Sequence, residues 1–394
     1  MDKQKLKGKI LRLIIIFIMI ILMSSFNTYA ADSKFILPGV EVEVNQDILK
    51  MQERRLPSVY LGNIEKTYKY NIFDNEKIKL NVKDQGNTET CWACSSNSVL
   101  ETTINLANNT NHIFSHLDLA NDVSNKYGIS VNAGANAYIA YGHYTSGELP
   151  TNMNKEKVNV KIEDYTIFPT VYKEINENTI TYKKEMQSTE QYTEQEVNTI
   201  RKSIKNHILN YGAVTAVTYS NATYFSNNLQ SYYCNNNEVL PNHQVTIVGW
   251  NDNYEKENFK TQPKNDGAYI VLNSYGENFG LGGLFYISYE DALVEYCNFG
   301  ITETSSYKEE ENIYQYDEFG INNEIGFLVD VYAANVYTRK TKKIEKITSV
   351  GFSSLENGEY EIYINPDNDD LDITKMRKVK EITTRKSRIY NSRI

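Results

Sequence analysis

Three residues that lie far apart in the chain have side chains that could together activate a thiol. Cys91 lies in Q-G-N-T-E-T-C-W-A-C, His243 in P-N-H-Q-V-T-I-V-G-W and Asn273 in A-Y-I-V-L-N-S-Y-G. A free thiol has a pKa of about 8.5, so only a few per cent is ionised at neutral pH. An imidazole can accept the proton, and a side-chain amide on its other nitrogen orients the ring. The order Cys, His, Asn predicts nucleophilic attack by Cys91, with His243 as base and acid.

Gln85 is placed to assist this chemistry. Attack of a thiolate on a carbonyl carbon creates an oxyanion, which needs fixed hydrogen-bond donors. A glutamine amide just upstream of the nucleophile and the backbone N–H of Cys91 could both donate. We therefore expect Gln85 to complete a catalytic set with Cys91, His243 and Asn273.

Cys91 is predicted to open a helix. Apolar and small residues recur after it at helical spacing, namely Trp92, Ser96, Val99, Leu100, Thr103, Ile104 and Ala107. Thr90 is a candidate N-cap. The partial positive charge of a helix N-terminus lowers the pKa of a thiol located there, so the sequence predicts a low pKa for Cys91.

Short runs rich in β-branched and aromatic residues predict the strands that carry the other two side chains. These runs are Val245 to Trp250, Ala268 to Leu272 and, after a glycine-rich turn, Leu284 to Ser288. Neighbouring strands could present His243 and Asn273 side by side. Upstream, Thr193 and Glu196 form a capping box for a helix that ends at Gly212, followed by a predicted core strand.

These motifs resemble the papain family, whose pattern is Q-G-x-C-G-x-C-W-A-F, a His before a V-G-W strand, and N-S-W-G. His243 follows Cys91 by about 150 residues, as is typical of such enzymes. The resemblance implies an α+β, two-lobed fold, with a helical lobe and a β-barrel-like lobe. It also implies that Gln85, Cys91, His243 and Asn273 are the catalytic residues of a thiol protease that acts through a thioester and needs no cofactor or metal.

The resemblance also implies a substrate-binding segment. Gly134, Ala135 and Asn136 are similar to the family's G-G-N cleft strand, with Ala135 in place of the second glycine. The methyl group of Ala135 could crowd a substrate backbone. Tyr275 stands where the family usually has Trp, and we expect its ring to shield the His243–Asn273 hydrogen bond, with reduced activity.

The chain divides into several predicted segments. Positive charge followed by the apolar stretch Leu13 to Met23 predicts a signal peptide rather than a retained anchor. The predicted segments are a signal peptide at 1–30, a pro-segment or plain N-terminal extension at 31–70, a peptidase domain at 71–303, a polar linker at 304–311 and an incomplete lectin-like β domain at 312–394. Ala333 to Thr338, Ile344 to Phe352 and Glu359 to Ile364 are its predicted strands, and the final basic run is expected not to complete a strand pattern.

The resemblance is greatest to the bacterial cell-surface branch of the family. It implies a secreted or cell-wall endopeptidase that cleaves surface-layer or adhesin precursors and its own pro-segment, as a monomer, while the C-terminal domain binds cell-wall carbohydrate. The alternative is a weakly active or inactive papain-like scaffold that acts as a carbohydrate-binding surface protein. Transpeptidation is a second alternative, because a thioester can also react with an amine.

Composition and the remaining motifs limit other functions. A formal charge of −9 and a pI near 5.3, with no basic stripe noted, argue against nucleic acid as a partner. Cys91 and Cys94 form a C-x-x-C pair, but no βαβ pattern of a redox fold precedes them. His112 and His116 lack the Glu of a zinc motif. The acidic run Asp367 to Asp372 lacks the Gly and Glu of a calcium loop, and pairing of Cys234 with Cys297 stays open.

Overall fold

A computed structural model describes residues 67–177, 179–308, 311–316, 332–354, 358–365, 372–384 and 388–393. It also describes the backbone of a hairpin formed by β1 (Lys34–Leu37) and β2 (Val40–Glu43). The predicted signal peptide, most of the predicted pro-segment and most of the acidic run 367–372 lie outside the described residues. None of the described helices is both long and apolar enough to span a bilayer.

A six-stranded sheet forms the β lobe. Its strands are β3 (Lys69–Asn71), β8 (Val214–Thr218), β9 (Ser231–Tyr232), β10 (His243–Asn251), β11 (Ala268–Leu272) and β12 (Leu284–Ser288). β10 is central, because β11 pairs with one edge and both β8 and β3 pair with the other. The strands predicted at 245–250, 268–272 and 284–288 are confirmed.

Gly249 explains how β3 joins this sheet. A Cβ atom at Gly249 would lie 2.1 Å from the carbonyl oxygen of Tyr70, closer than any side chain allows. The glycine of the V-G-W motif therefore permits the pairing of Lys69–Asn71 with the end of β10. Lys69 and Tyr70, which we predicted to belong to the pro-segment, are part of the peptidase sheet.

The helical lobe contains α1 (Cys91–Asn108), α2 (His116–Tyr127) and α3 (Ala137–Thr145). The helix predicted to open at Cys91 is confirmed, and most of its residues are buried because it packs on β10 at one face and on the other two helices elsewhere. A fourth helix, α4 (Glu194–Asn210), begins with the predicted capping box of Thr193 and Glu196 and packs on the β lobe.

Smaller sheets complete the described structure. β4 (Lys161–Ile167) pairs with β13 (Phe299–Ser305), and β5 (Tyr172–Ile175), β6 (Ile180–Lys183) and β7 (Gln191–Tyr192) form a three-stranded sheet. In the C-terminal part, β14 (Ser349–Ser354) pairs with β17 (Arg388–Arg393), and β15 (Gly358–Ile364) pairs with β16 (Arg377–Thr384).

The C-terminal part differs from the sequence prediction in three places. Residues 333–338, predicted as a strand, have no regular secondary structure, and the strand predicted at 344–352 begins only at Ser349. The final basic run, expected not to complete a strand, forms β17 and pairs in register with β14. This pairing is non-local, which is why the polar pattern of the run did not indicate it. The strand predicted at 359–364 is confirmed as part of β15.

The segment predicted as a linker is held against the peptidase. Thr304 and Ser305 belong to β13 and pair with Ile162 and Lys161. Asn159 and Tyr307 exchange two hydrogen bonds of 2.8 and 2.9 Å. Polar composition indicated a linker, but long-range pairing extends the peptidase beyond the predicted boundary at 303.

Candidate active site

Cys91 lies where α1 meets the start of β10. The backbone N–H of Gln244, the residue after His243, donates to the sulfur of Cys91. Two further contacts join the elements: the Oγ of Ser95 donates to the carbonyl of Val245 at 2.7 Å, and Nε2 of Gln244 lies 3.4 Å from the carbonyl of Trp92. Helix packing against the strand therefore brings the thiol to the strand end that carries His243.

Thr90 occupies the N-cap position of α1, but its side chain does not cap the helix. Its hydroxyl instead hydrogen-bonds the hydroxyl of Thr88 at 2.7 Å. Thr90 is therefore the N-cap residue as predicted, but it makes no side-chain capping bond. The backbone N–H groups of the first turn keep one fewer partner as a result.

His243 and Asn273 meet across β10 and β11 as predicted. Nε2 of His243 lies 2.8 Å from Oδ1 of Asn273, and the same oxygen accepts the backbone N–H of Ser274 at 2.9 Å. Because a carbonyl oxygen only accepts, Nε2 carries the proton and Nδ1 is the ring nitrogen left for a thiol. Both side chains are buried, and His243 is 4% exposed.

Burial has the largest effect on the pKa values of Cys91 and His243. It raises the pKa of Cys91 to about 11, although the N–H of Gln244 lowers it in part. It lowers the pKa of His243 to about 4, against the opposing effect of the bond to Asn273. At neutral pH both groups are uncharged here. The low thiol pKa expected from the helix terminus is not found, because desolvation of a side chain that is 2% exposed outweighs it.

Gln85 is positioned by a pair of contacts with Ser274. The backbone N–H of Gln85 donates to the carbonyl of Ser274 at 2.9 Å, and the Oγ of Ser274 donates to Oε1 of Gln85 at 2.6 Å. Nε2 of Gln85 donates to the carbonyl of Thr88 at 2.7 Å. The amide oxygen is thus fixed by Ser274 and one hydrogen of the amide nitrogen by Thr88, which leaves the second hydrogen of Nε2 for another acceptor.

Tyr275 covers the imidazole. Its ring stacks on that of His243 with centroids 4.8 Å apart and an angle of 24°. Its hydroxyl lies 3.1 Å from the Oγ of Ser220, and the residue is 38% exposed. The ring therefore separates His243 from solvent on one face, which is the geometry expected of an aromatic residue in this position.

The predicted cleft strand is not a strand. Residues Val131–Ala133 form a 3-10 turn, Gly134 has a φ of 73°, and Asn136 caps α3 through its Oδ1 and the N–H of Ile139 at 3.2 Å. Ala135 has no exposed surface, so its methyl group packs inside the protein. The G-A-N sequence was interpreted from the resemblance alone, and its turn and cap signals were overlooked.

The cysteines of this protein form no disulfide bond. Cys91, Cys94, Cys234 and Cys297 are all buried free thiols, so the pairing of Cys234 with Cys297 that was left open is not formed. Within the described parts of the chain, no three His, Cys, Asp or Glu side chains come together in a way that would hold a metal ion.

Sequence reasoning missed three residues that shape the site. Gln244, Ser95 and Ser274 supply the contacts that join helix, strand and Gln85. Ser274 follows Asn273 in the N-S-aromatic-G motif, so its hydroxyl was a signal that could have been used. Nothing in the local pattern distinguishes Gln244 and Ser95 from ordinary buried polar residues.

Comparison with known proteins defines the class. The model of the papain family cysteine proteases matches residues 70–308, more than half of the chain. The protein therefore belongs to the papain family and is a cysteine protease with a papain-like α+β fold. A lectin-like domain model matches residues 313–391, so a lectin-like β domain follows the peptidase.

Two solved structures of a clostridial cysteine protease, Cwp84, are similar to this chain. One, determined after propeptide cleavage, is 25% identical with a TM-score of 0.59 and covers 82% of this chain and 79% of that chain. The other contains the cysteine protease and lectin-like domains of Cwp84, a surface-layer-associated protein of Clostridium difficile. It is 22% identical with a TM-score of 0.62 and covers 94% of this chain and 78% of that chain. A search of curated protein sequences finds no match.

Proposed function

We propose that this protease is an endopeptidase in which Cys91 is the nucleophile, His243 the general base and acid, Asn273 the orienting amide and Gln85 an oxyanion donor. The observation that carries the proposal is the contact of the Cys91 sulfur with Gln244, next to a histidine whose Nε2 is bonded to Asn273 at 2.8 Å. One ring nitrogen is fixed and the other is left for the thiol.

The reaction has two stages. In the first, His243 accepts the thiol proton as Cys91 attacks the peptide carbonyl, and then gives that proton to the leaving amine as the C–N bond breaks. A thioester remains on Cys91. In the second, His243 takes a proton from water as the water oxygen attacks the thioester carbonyl. The C–S bond then breaks, the acid is released, and His243 returns the proton to the sulfur of Cys91.

Gln85 and the backbone N–H of Cys91 would bind the oxyanion in both stages. The bond from Ser274 to Oε1 of Gln85 leaves the amide nitrogen with a fixed direction. Donors that are already oriented cost no reorganisation when charge develops, which is why such groups contribute about 10²–10³ in rate. Ser274 is therefore a positioning residue for Gln85.

The buried neutral pair indicates a resting form rather than a reacting one. With the pKa of Cys91 near 11 and that of His243 near 4, proton transfer to the ring is unfavourable before substrate enters. A substrate carbonyl changes this balance, because the charge formed on sulfur passes at once to an oxyanion held by donors. We therefore propose that charge separation accompanies attack.

We propose that the enzyme acts at the cell surface after export, on surface-layer or adhesin proteins, and that it removes its own pro-segment. The leader-like N-terminal pattern supports export. Cwp84, which is similar to this chain, is described as surface-layer-associated and as having a cleaved propeptide. The C-terminal domain would bind cell-wall carbohydrate. The peptidase boundary would lie before Lys69, since β3 belongs to the sheet.

The test uses wild-type full-length protein beside Cys91→Ala. Wild type should hydrolyse a fluorogenic peptide, shorten at its N-terminus on incubation, and gain one adduct on Cys91 from a thiol-directed epoxide. Cys91→Ala should fold with the same circular dichroism and lose all three properties. Hydrolysis that persists in Cys91→Ala would show that another group is the nucleophile. Partitioning of the thioester between an added amine and water separates transpeptidation from hydrolysis, because a transpeptidase gives mainly the amide product and a hydrolase mainly the acid.

A further inference from the structure

A strongly basic loop interrupts the acidic balance of the chain. Residues Thr338 to Lys346 read T-R-K-T-K-K-I-E-K, five cations and one carboxylate, in a protein with a formal charge of −9. The acidic composition predicted no basic stripe, and this run corrects that prediction. Clustered cations within an acidic protein predict a localised site for an anionic partner.

The structure holds this loop in a defined shape. Glu345, its single carboxylate, accepts hydrogen bonds from Thr341 at 2.8 Å and Asn312 at 3.1 Å, and from the hydroxyl of Tyr314. The backbone N–H of Lys340 also donates to the Tyr314 hydroxyl at 2.8 Å. The acidic group is therefore used to fix the loop against residues 312–314.

Two cations of the loop are left for a ligand. Lys342 and Lys346 are exposed, and neither has a hydrogen bond or ion pair with any residue that the structure describes. Ile344, between them, is 97% exposed. A loop that orders its backbone through Glu345 while it projects two ammonium groups and an apolar side chain has the chemistry of a recognition surface.

An aromatic platform lies beside the loop. Tyr316 and Tyr337 stack with ring centroids 4.8 Å apart and an angle of 15°, and they are 62% and 40% exposed. The hydroxyl of Tyr316 donates to the carbonyl of Val336, and the ring of Tyr314 lies 5.8 Å from that of Tyr337. The C–H face of a sugar ring packs on such an exposed aromatic surface.

We propose that Tyr316, Tyr337, Lys342 and Lys346 form a binding site for an anionic glycan, a polymer whose sugars carry carboxylate or phosphate groups. The tyrosines would bind a sugar face and the lysines the charges next to it. This deepens the proposed carbohydrate binding of the C-terminal domain and rests on the proposed location at the cell surface, since a wall polymer would hold the protease there.

A glycan fits this surface better than a nucleic acid. Duplex DNA carries one charge per about 1.7 Å and is bound through extended basic surfaces. Here the basic region is one loop, and the chain as a whole would repel a dense polyanion. Charges spaced along a sugar chain need only a local pair of cations beside a stacking platform.

The test measures binding of the full-length Cys91→Ala protein to polygalacturonate, phosphorylated dextran, neutral dextran and single-stranded DNA. We expect binding to one or both anionic glycans. The glycan that binds shows whether the site recognises carboxylate or phosphate groups. It should weaken as salt rises, with a loss of about tenfold or more in Lys342→Glu/Lys346→Glu. Tyr316→Ala/Tyr337→Ala should lose affinity without a change in the salt dependence, because it leaves the charges in place.

Lys202→Glu/Lys260→Glu is the matched control, because it makes the same charge change at two exposed lysines of the peptidase. It should bind as the parent does. The proposal is wrong if neutral dextran or DNA binds as tightly as the anionic glycans, if none binds, or if the control loses as much affinity as the loop variant. Peptide hydrolysis by the matching variants with Cys91 intact should be unchanged, so failure of binding is distinguishable from failure of the proposed catalysis.

Discussion

Among the described residues, the peptidase contains buried ion pairs, whereas the ion pairs of the C-terminal domain are exposed. In the peptidase, Lys173 and Glu295 are paired at 2.9 Å with side chains that have no exposed surface, and Lys83 and Glu101 pair at 2.6 Å with at most 6% exposed. In the C-terminal part, Lys378 pairs with Glu361 while 38% and 47% of their side chains remain exposed. The main buried core cluster spans only Ile72 to Ile301 among the described residues.

This difference follows from what each part has to do. A catalytic site needs donors and acceptors held in place away from water, where electrostatic interactions are strong. A site for a polymer needs surface that the polymer can reach, and so it keeps rings and ammonium groups exposed. We expect substitutions in the first region to change folding or rate, and substitutions in the second to change binding alone.

The largest effect is expected from Glu295→Gln. Glu295 accepts from Lys173, from Arg201 at 2.8 and 3.2 Å, and from the hydroxyl of Tyr269 at 2.8 Å. Removing its charge leaves two cations uncompensated, and breaking a buried pair in this way costs about 3–5 kcal/mol. Urea unfolding followed by tryptophan fluorescence measures this, since Trp92 and Trp250 both lie in the peptidase.

Glu361→Gln, which removes an exposed partner of Lys378, is the control and should leave unfolding by circular dichroism unchanged. Equal losses of unfolding free energy in Glu295→Gln and Glu361→Gln would contradict the contrast between buried and exposed ion pairs.

Burial raises the pKa of Glu295, but Arg201 and Lys173 outweigh it and lower the pKa to about 2. A lowered carboxyl pKa stabilises the fold above the unfolded value of about 4.3, and this contribution is lost as pH falls from there toward 2.

The second prediction concerns variants that should lower the catalytic rate without changing the stability of the fold. Gln85→Ala should lower kcat by about 10²–10³, the range for loss of one oxyanion donor. Ser274→Ala should lower it less, because the amide remains present and only its bond to Ser274 at 2.6 Å is lost. Steady-state kinetics on a peptide substrate measure both. If Ser274→Ala proves the more damaging, Gln85 is not the donor and Ser274 has a more direct role.

The third prediction tests whether the site is uncharged at rest. With the thiol pKa raised by burial to about 11, the thiolate of Cys91 should increase about tenfold per pH unit between about pH 7 and 10. The rate of alkylation of the full-length protein by iodoacetamide should follow it, with Cys91→Ala as the background. A rate that is constant from pH 5 to 8 would mean that the thiolate–imidazolium pair is already formed, contrary to the burial seen here.

The smallest effect is expected at Tyr275, a catalytic-region residue that is partly exposed like those of the C-terminal platform. Tyr275→Phe keeps the ring on His243 and removes the hydroxyl contact with Ser220 at 3.1 Å. An exposed hydrogen bond contributes at most about 1 kcal/mol, so kcat/KM should change less than about fivefold. Tyr275→Ala exposes the His243–Asn273 bond to water and should lower kcat/KM further. If both variants lower kcat/KM equally, the hydroxyl group and not the ring is what the site requires.

Local sequence determined much of the catalytic frame. The spacing of apolar residues after Cys91 predicted α1, β-branched runs predicted β10 and β11, and Thr193 with Glu196 predicted the start of α4. These patterns depend on neighbours within one turn or a few strand residues, so they can be read without the fold. The order of Gln85, Cys91, His243 and Asn273 likewise needed no structure.

Tertiary structure alone decided the properties that depend on distant segments. Burial of Cys91 and His243 beneath packed elements reverses the pKa expected from a helix terminus, because desolvation is set by everything that surrounds a group. The pairing of β17 with β14 and the exposure of the loop around Lys342 arise in the same way. Which groups are kept from water, and which are left in it, is a property of the whole fold.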